Sequence, residues 1–141
     1  MTLWILDTDH TSLFFAGNPS VIPHIAEYYD NIAITIITVQ EIFNGWNGRL
    51  NDPRQANNLN SLYTKLWETT EFFKIMTILN FDSDAENCYN ELRRNRNLAR
   101  KRLEKDLRIA SIALVQNAIV VTRNYKDFSQ VPNLQLENWV D

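Results

Sequence analysis

Three short apolar runs, each closed by a polar residue and separated from the next by helix-like sequence, constrain this chain more than any other feature. Leu3-Trp4-Ile5-Leu6 stops at Asp7, and Ala118-Ile119-Val120-Val121 stops at Thr122. Ile32-Ala33-Ile34-Thr35-Ile36-Ile37 is rich in β-branched residues and carries the strongest strand signal of the three. Met76 to Phe81 adds a short strand, and Leu134-Gln135-Leu136 a weak alternating one at an edge. Helical patterns fill the intervals. Ser20 to Tyr29 reads as a helix with Pro23 in its first turn. Thr38-Val39-Gln40-Glu41 has capping-box spacing ahead of Ile42, Phe43 and Trp46. Asp52-Pro53 opens a long helix to about Phe73, Ser83 and Glu86 open another to about Arg94, and a last one covers Glu104 to Gln116. Strands that alternate with helices pair in parallel through right-handed crossovers. The expected fold class is therefore α/β, a three-layer fold whose central, mainly parallel sheet of four to five strands is flanked by helices.

Composition agrees with this and removes several classes. The 141 residues are 45% apolar and 22% charged, with three Gly and four Pro, which excludes disorder and predicts a single domain over 1–141. One cysteine, Cys88, excludes a disulfide framework and a Cys-based zinc site, and is expected to pack as a small apolar residue in a reducing compartment. No basic stretch precedes the first apolar run, which Asp7 interrupts, so no signal peptide is expected. The uncharged stretch Ile109 to Thr122 is too short and too polar to span a bilayer. A cytoplasmic protein without a membrane segment is expected.

In an open parallel sheet, ligands bind beyond the carboxyl ends of the strands. Asp7 directly follows the first strand, Glu41 lies four residues after the second, in the first turn of the next helix, and Asn124 and Asp127 follow the end of the Val120-Val121-Thr122 run. Asp106 opens the helix that leads into that run, and a helix N-terminus in a βαβ unit lies at the same sheet edge. Four elements thus deliver oxygens to one rim. Asp106 also shares a helix face with Ala110 and Ala113, a small-residue stripe suited to close packing on a sheet. Each acid has a plainer role open to it: Asp7 in a strand-end turn, Glu41 in its capping box, Asp106 as a first-turn acid favoured by the helix dipole, Asp127 in a loop. Asp9 is either a further ligand or the N-cap of a short helix through Leu13, the latter being the preferred reading. His10 and His24 lack metal-ligand or triad spacing and are read as structural.

The net charge of −3 hides an uneven distribution. Residues 1–92 hold four basic and twelve acidic side chains, whereas residues 93–108 hold eight basic and two acidic. Arg100, Lys101, Arg102 and Lys105, with Arg123 further on, are either a solvated face or a phosphate-contacting strip that gains affinity by counterion release. The strip leads straight into Asp106, which favours the second. Crowded carboxylates repel unless a cation neutralises them. An all-oxygen set without His or Cys selects a hard ion, Mg²⁺ or Mn²⁺, and such an ion suits phosphate-ester hydrolysis. The acidic rim beside a basic strip predicts phosphodiester hydrolysis of a nucleic acid.

Four blocks, LWILDTDHTS, ITVQEIFNGW, KDLRIASIAL and VVTRNYKDFSQVPNLQLENW, resemble in order and spacing the PIN-domain ribonucleases, specifically the VapC-type toxins of bacterial toxin–antitoxin pairs. The resemblance implies a PIN-like three-layer fold, frequent homodimers, Mg²⁺-dependent endonucleolytic cleavage of RNA, and a cognate antitoxin protein as partner. It implies that Asp7, Glu41 and Asp106 hold metal, with Thr8 as a water ligand or a support to the ligands. Two departures stand out. Glycines common before the third acid are replaced by Arg-Lys-Arg-Leu-Glu-Lys, and Asn124 stands where many relatives have Asp. Either Asp127 substitutes, or Asn124 serves as an uncharged amide ligand and a second metal is held more weakly.

Three other readings fit parts of the sequence. A non-catalytic PIN-like module that binds RNA or protein would not need intact Asp7, Glu41 and Asp106. LDTDHT also fits the start of a haloacid-dehalogenase-type phosphatase, with Asp7 as nucleophile and Asp9 as general acid–base, but its later Gly-Asp motif is missing. A phosphate-accepting receiver domain would need an acid pair and a late Lys that are not placed correctly. Trp46, Tyr63, Trp67, Phe72 and Phe73 either fill the core or line a groove for an antitoxin helix or a dimer face.

Overall fold

Every strand of the sheet runs the same way. The computed structural model describes residues 2–141. Its strands are β1 (Trp4–Leu6), β2 (Ile32–Thr35), β3 (Thr77–Leu79), β4 (Ile119–Val121) and β5 (Gln135–Glu137), in the spatial order β3-β2-β1-β4-β5. All four pairings are parallel, with Trp4 opposite Ile32 on one side and Ile119 on the other. The helices are α1 (Thr8–Phe15), α2 (Ile22–Tyr28), α3 (Ile36–Leu50), α4 (Leu59–Lys74), α5 (Ser83–Leu92), α6 (Glu104–Gln116) and α7 (Tyr125–Phe128).

Alternation along the central strands sends side chains to two cores. Ile5 and Val120 pack with Ala85, Tyr89, Leu107, Ala110 and Ala113 of α5 and α6. Leu6, Val121 and Ile34 pack on the opposite face with Val21, Ile25 and Phe73, beneath α1 to α4. The expected three layers are present, and the sheet has the full five strands. The alanine stripe of α6 is completely buried at Ala110 and Ala113, so this helix lies close to the sheet. It ends at Asn117 in the left-handed region (φ 53°), where Ala118 N–H donates to the Ala113 carbonyl at 2.9 Å and turns the chain into β4. That turn lays α6 antiparallel to β4 and brings its N-terminus to the carboxyl edge of the sheet.

Four expected boundaries are corrected. The β-branched run does not stay extended to Ile37: Thr35 Oγ1 accepts from Thr38 N–H at 3.3 Å, caps α3, and Ile36 is already helical. Glu41 therefore lies in the second turn of α3, and the Thr38–Glu41 capping box does not form. Asp52 caps only the 3-10 turn Pro53–Gln55, and α4 starts afresh at Leu59. The cap of α5 is Asp82, not Ser83, through Ala85 N–H at 2.9 Å. The cap of α1 is Asp7, not Asp9, through His10 N–H. The four-residue α7 has no counterpart in the sequence pattern. Cys88 is half-buried, and burial pushes its thiol above the ordinary value. No helix among the described residues is long and apolar enough to cross a membrane.

Candidate metal and phosphate site

Asp7 begins the site because β1 ends there. Its N–H still donates to the Val121 carbonyl of β4 at 3.0 Å, which fixes its backbone at the sheet edge. The residue is only 6% exposed, and its Oδ1 accepts from His10 N–H at 2.8 Å and faces His10 Nδ1 at 3.3 Å. Oδ2 has no hydrogen bond among the described residues. Thr8, the next residue, donates through Oγ1 to Glu41 Oε1 at 2.7 Å, a short charge-assisted bond. Thr8 Oγ1 also lies 3.0 Å from the buried Thr38 hydroxyl, and since the Thr8 proton goes to Glu41, Thr38 is the donor there. Sequence reasoning gives Thr38 no role at the site. It stands one turn ahead of Glu41 on α3, and its spacing from that acid is the available signal.

Asp106 sits in the first turn of α6, where the helix dipole favours a charged carboxylate. The local environment outweighs this. Burial first, then the charges of Glu41, Asp7 and Asp127, push its pKa to about 6, with the Asn124 amide acting against them. Acids from the end of β1, from α3 and from α7 thus act on Asp106 in α6. Asn124 Nδ2 donates to Asp106 Oδ2 at 3.2 Å and to Asp127 Oδ2 at 3.0 Å. Asp127 Oδ1 accepts from Arg102 at 2.9 Å. The Asn124 amide, with help from Arg102, holds the Asp127 carboxyl below its ordinary value. Asn124 therefore touches Asp106 directly, while Asp127 stands behind it with both oxygens engaged.

The basic strip divides. Arg100 and Lys101 are exposed just ahead of α6, Arg102 reaches Asp127, and Lys105 is half-buried in the first turn of α6. Arg93 and Arg108 turn instead onto the Tyr89 ring, at 5.1 and 5.4 Å. Arg123 forms a two-pronged pair with Asp9, both bonds 2.7 Å, and holds the Asp9 carboxyl below its ordinary value.

Among the described residues, donor atoms of Asp7, Asp9 and His10 lie within 4.8 Å of one another, the one group of acids and histidines close enough as it stands to hold an ion. We discount it on hydrogen bonding. Both Asp9 oxygens are taken by Arg123, and the His10 nitrogens face Asp7 Oδ1 and, at 3.4 Å, Trp139 N–H. The same Arg123 fork leaves Asp9 without the free carboxyl that a phosphatase acid–base would need. Asp7, Glu41 and Asp106 instead offer oxygen donors only, the donor type a hard divalent cation takes, and the charges of the first two act on the third.

A groove of about 600 Å³ leads away from this rim between α1, α3 and α4. Thr8 and Glu41 stand at one end, and Phe15, Ile42, Trp46 and Phe72 line it. The aromatic group divides accordingly: Phe73 belongs to the core and also borders the groove, Trp46 and Phe72 line the groove, and Tyr63 and Trp67 of α4 point outward, 57% and 63% exposed.

A five-stranded parallel sheet flanked by helices, with acids near its carboxyl edge acting on Asp106, is the α/β class of fold that the PIN-like resemblance implies. No protein-family model matches the chain. It is 42% identical over 71 residues to Ribonuclease VapC2 of Rickettsia felis, a match covering 48% of this chain and 52% of that protein. The match thus spans about half the length of that curated relative. Among solved structures, VapBC2 from Rickettsia felis bound to a DNA fragment from its promoter superposes with a TM-score of 0.73 at 28% identity, covering 98% of this chain and 99% of that one. VapBC-5 from Mycobacterium tuberculosis, a member of the VapBC family of toxin–antitoxin systems, gives 0.59 at 26% identity, covering 98% of each chain. The resemblance to VapC-type PIN domains read from the four sequence blocks is borne out.

Proposed function

We propose that residues 1–141 form a single PIN-like nuclease domain, a divalent-metal-dependent endoribonuclease that is the toxin of a type II toxin–antitoxin pair and acts in the cytoplasm. The observation that carries this reading is Asp106, a carboxyl lifted to about 6 by burial and by three neighbouring acids. Such crowding is costly in a purely structural rim and suits one built around a cation. Asp7, Glu41 and Asp106 would hold Mg²⁺ or Mn²⁺. When bound, the ion supplies an activated water and neutralises charge on the phosphoryl oxygens.

The chain's own residues do the rest. Thr38 orients the Thr8 hydroxyl, which aims Glu41; the α1 cap fixes Asp7; Asn124, backed by Asp127, holds Asp106. Arg100, Lys101, Arg102, Lys105 and Arg123 would contact RNA phosphates. Arg102 and Arg123 are poised at the rim by their acid partners rather than spread in solvent. The groove beside Thr8 and Glu41, lined by Phe15, Ile42, Trp46 and Phe72 together with the charged Arg49, Lys65 and Glu68, suits an amphipathic segment of the antitoxin, which would cover the acidic rim as it binds. The outward Tyr63 and Trp67 suit a homodimer face.

Cleavage of total cellular RNA by the purified protein in Mg²⁺ or Mn²⁺, with every new 5′ end mapped and EDTA and Asp106→Asn as controls, tests this. Discrete cuts lost in both controls are expected. A folded, antitoxin-free protein that cuts nothing at any metal concentration would overturn the enzyme reading in favour of a non-catalytic RNA- or protein-binding module.

A further inference from the structure

Residues at the two ends of the chain meet on one buried imidazole. His10 is completely buried one helical turn beyond Asp7. Its Nδ1 faces Asp7 Oδ1 at 3.3 Å, and its Nε2 lies 3.4 Å from the backbone nitrogen of Trp139. A backbone N–H can only donate, so Nε2 must present its lone pair. The ring proton of the neutral imidazole then resides on Nδ1 and is donated to Asp7. Oδ1 of Asp7 receives this proton together with the His10 amide at 2.8 Å, so two donors from one residue turn Oδ2 toward the rim.

The far side of the ring is held as firmly. Trp139 is buried, its indole Nε1 donates to Glu137 Oε1 at 3.0 Å, and its ring stacks on His24 at 5.0 Å. Val140 N–H donates to Asn138 Oδ1 at 2.9 Å and closes the turn that presents the Trp139 amide.

We propose that His10 is a positioning residue: the Trp139 amide sets its tautomer, its Nδ1–H orients the Asp7 carboxylate, and the segment 138–141 is thereby part of the metal site. Ligands are commonly tuned in this way by hydrogen bonds from their neighbours. The inference rests on the reading of Asp7 as a metal ligand, and it is tested without RNA.

Two-bond ¹H–¹⁵N spectra of the imidazoles, with His24→Gln used for assignment, report the tautomer. A proton on Nδ1 and a lone pair on Nε2 of His10 are expected, and the opposite tautomer or a doubly protonated ring would overturn the proposal. Two variants then separate positioning from packing. His10→Gln keeps an acceptor for Trp139 but loses the donor to Asp7, whereas His10→Asn keeps the donor and leaves the Trp139 amide unpaired. Mn²⁺ affinity, read by water-proton relaxation, should fall about tenfold or more in His10→Gln and stay within about threefold in His10→Asn. The Tm should fall further in His10→Asn. If the affinity of His10→Gln matches the wild type, or both affinities merely follow the Tm, His10 is structural. A wild type that binds no Mn²⁺ leaves nothing to position and overturns the inference as well. A wild type that binds Mn²⁺ yet cuts no RNA refutes the nuclease reading alone.

Discussion

Asp106→Asn should make the metal-free protein more stable at neutral pH. Lifting the carboxyl from 3.8 to about 6 corresponds to ~3 kcal/mol at ~1.4 kcal/mol per pH unit. Solvent reaches this rim, and screening reduces the figure to ~1–2 kcal/mol. The folded-state pKa is raised, so the protonated acid's contribution is fully present below 3.8 and is lost as the pH rises through about 6. Asparagine matches the neutral carboxylic acid in shape and still offers Asn124 an acceptor, so the variant avoids that loss. Its advantage should be small near pH 4, grow through pH 5 and 6, and level off at about pH 7. For a chain of this length it should amount to ~3–8 °C in Tm. Thermal unfolding of both proteins in EDTA across that range measures it. Added Mn²⁺ should then stabilise the wild type and do much less for the variant. A variant less stable than the wild type at neutral pH, or an advantage that does not change with pH, would mean that the Asp106 carboxyl is not crowded in the folded protein.

Three further outcomes follow from named side chains. Thr8→Val removes the 2.7 Å bond that aims Glu41 and should lower cleavage ~10–100-fold in a single-turnover assay while leaving the circular dichroism spectrum unchanged. Neutralising Arg100, Lys101 and Arg102 together should reduce the salt dependence of RNA binding by ~0.7 in slope for each phosphate no longer neutralised, read by filter binding of the uncleaved complex in EDTA; an unchanged slope would make the strip a solvated surface. Ala110→Val crowds the interface between α6 and the sheet, where no side of the alanine is exposed, and should cost ~1–3 kcal/mol in urea unfolding.

The three central strands were legible because each is a short apolar run ended by a polar residue, and α6 because Glu104–Gln116 carries a clean helical pattern. Asp7 could be placed at the sheet edge because a strand ends there, and Asp106 because a helix begins there. The start of α3 was not legible, because Ile36 and Ile37 continue the β-branched run and only the Thr35 cap, a local hydrogen bond, turns them into a helix. Asp52 has the sequence of a helix start, yet its cap serves one 3-10 turn. The pairs that shape the site were hidden by distance along the chain. Arg123 reaches back to Asp9, Arg102 forward to Asp127, and Trp139 to His10. His10 was legible as a residue without ligand spacing, but nothing near it in sequence reveals the amide that holds it.

Asp7, Glu41 and Asp106 are proposed to share one cation. An anomalous difference map from crystals of this protein grown with Mn²⁺ addresses it directly. A peak bounded by Asp7 Oδ2, Glu41 and Asp106, with the Arg123–Asp9 pair intact, is expected. A peak between Asp9 and His10, with that pair broken, or no peak at the rim, would contradict it.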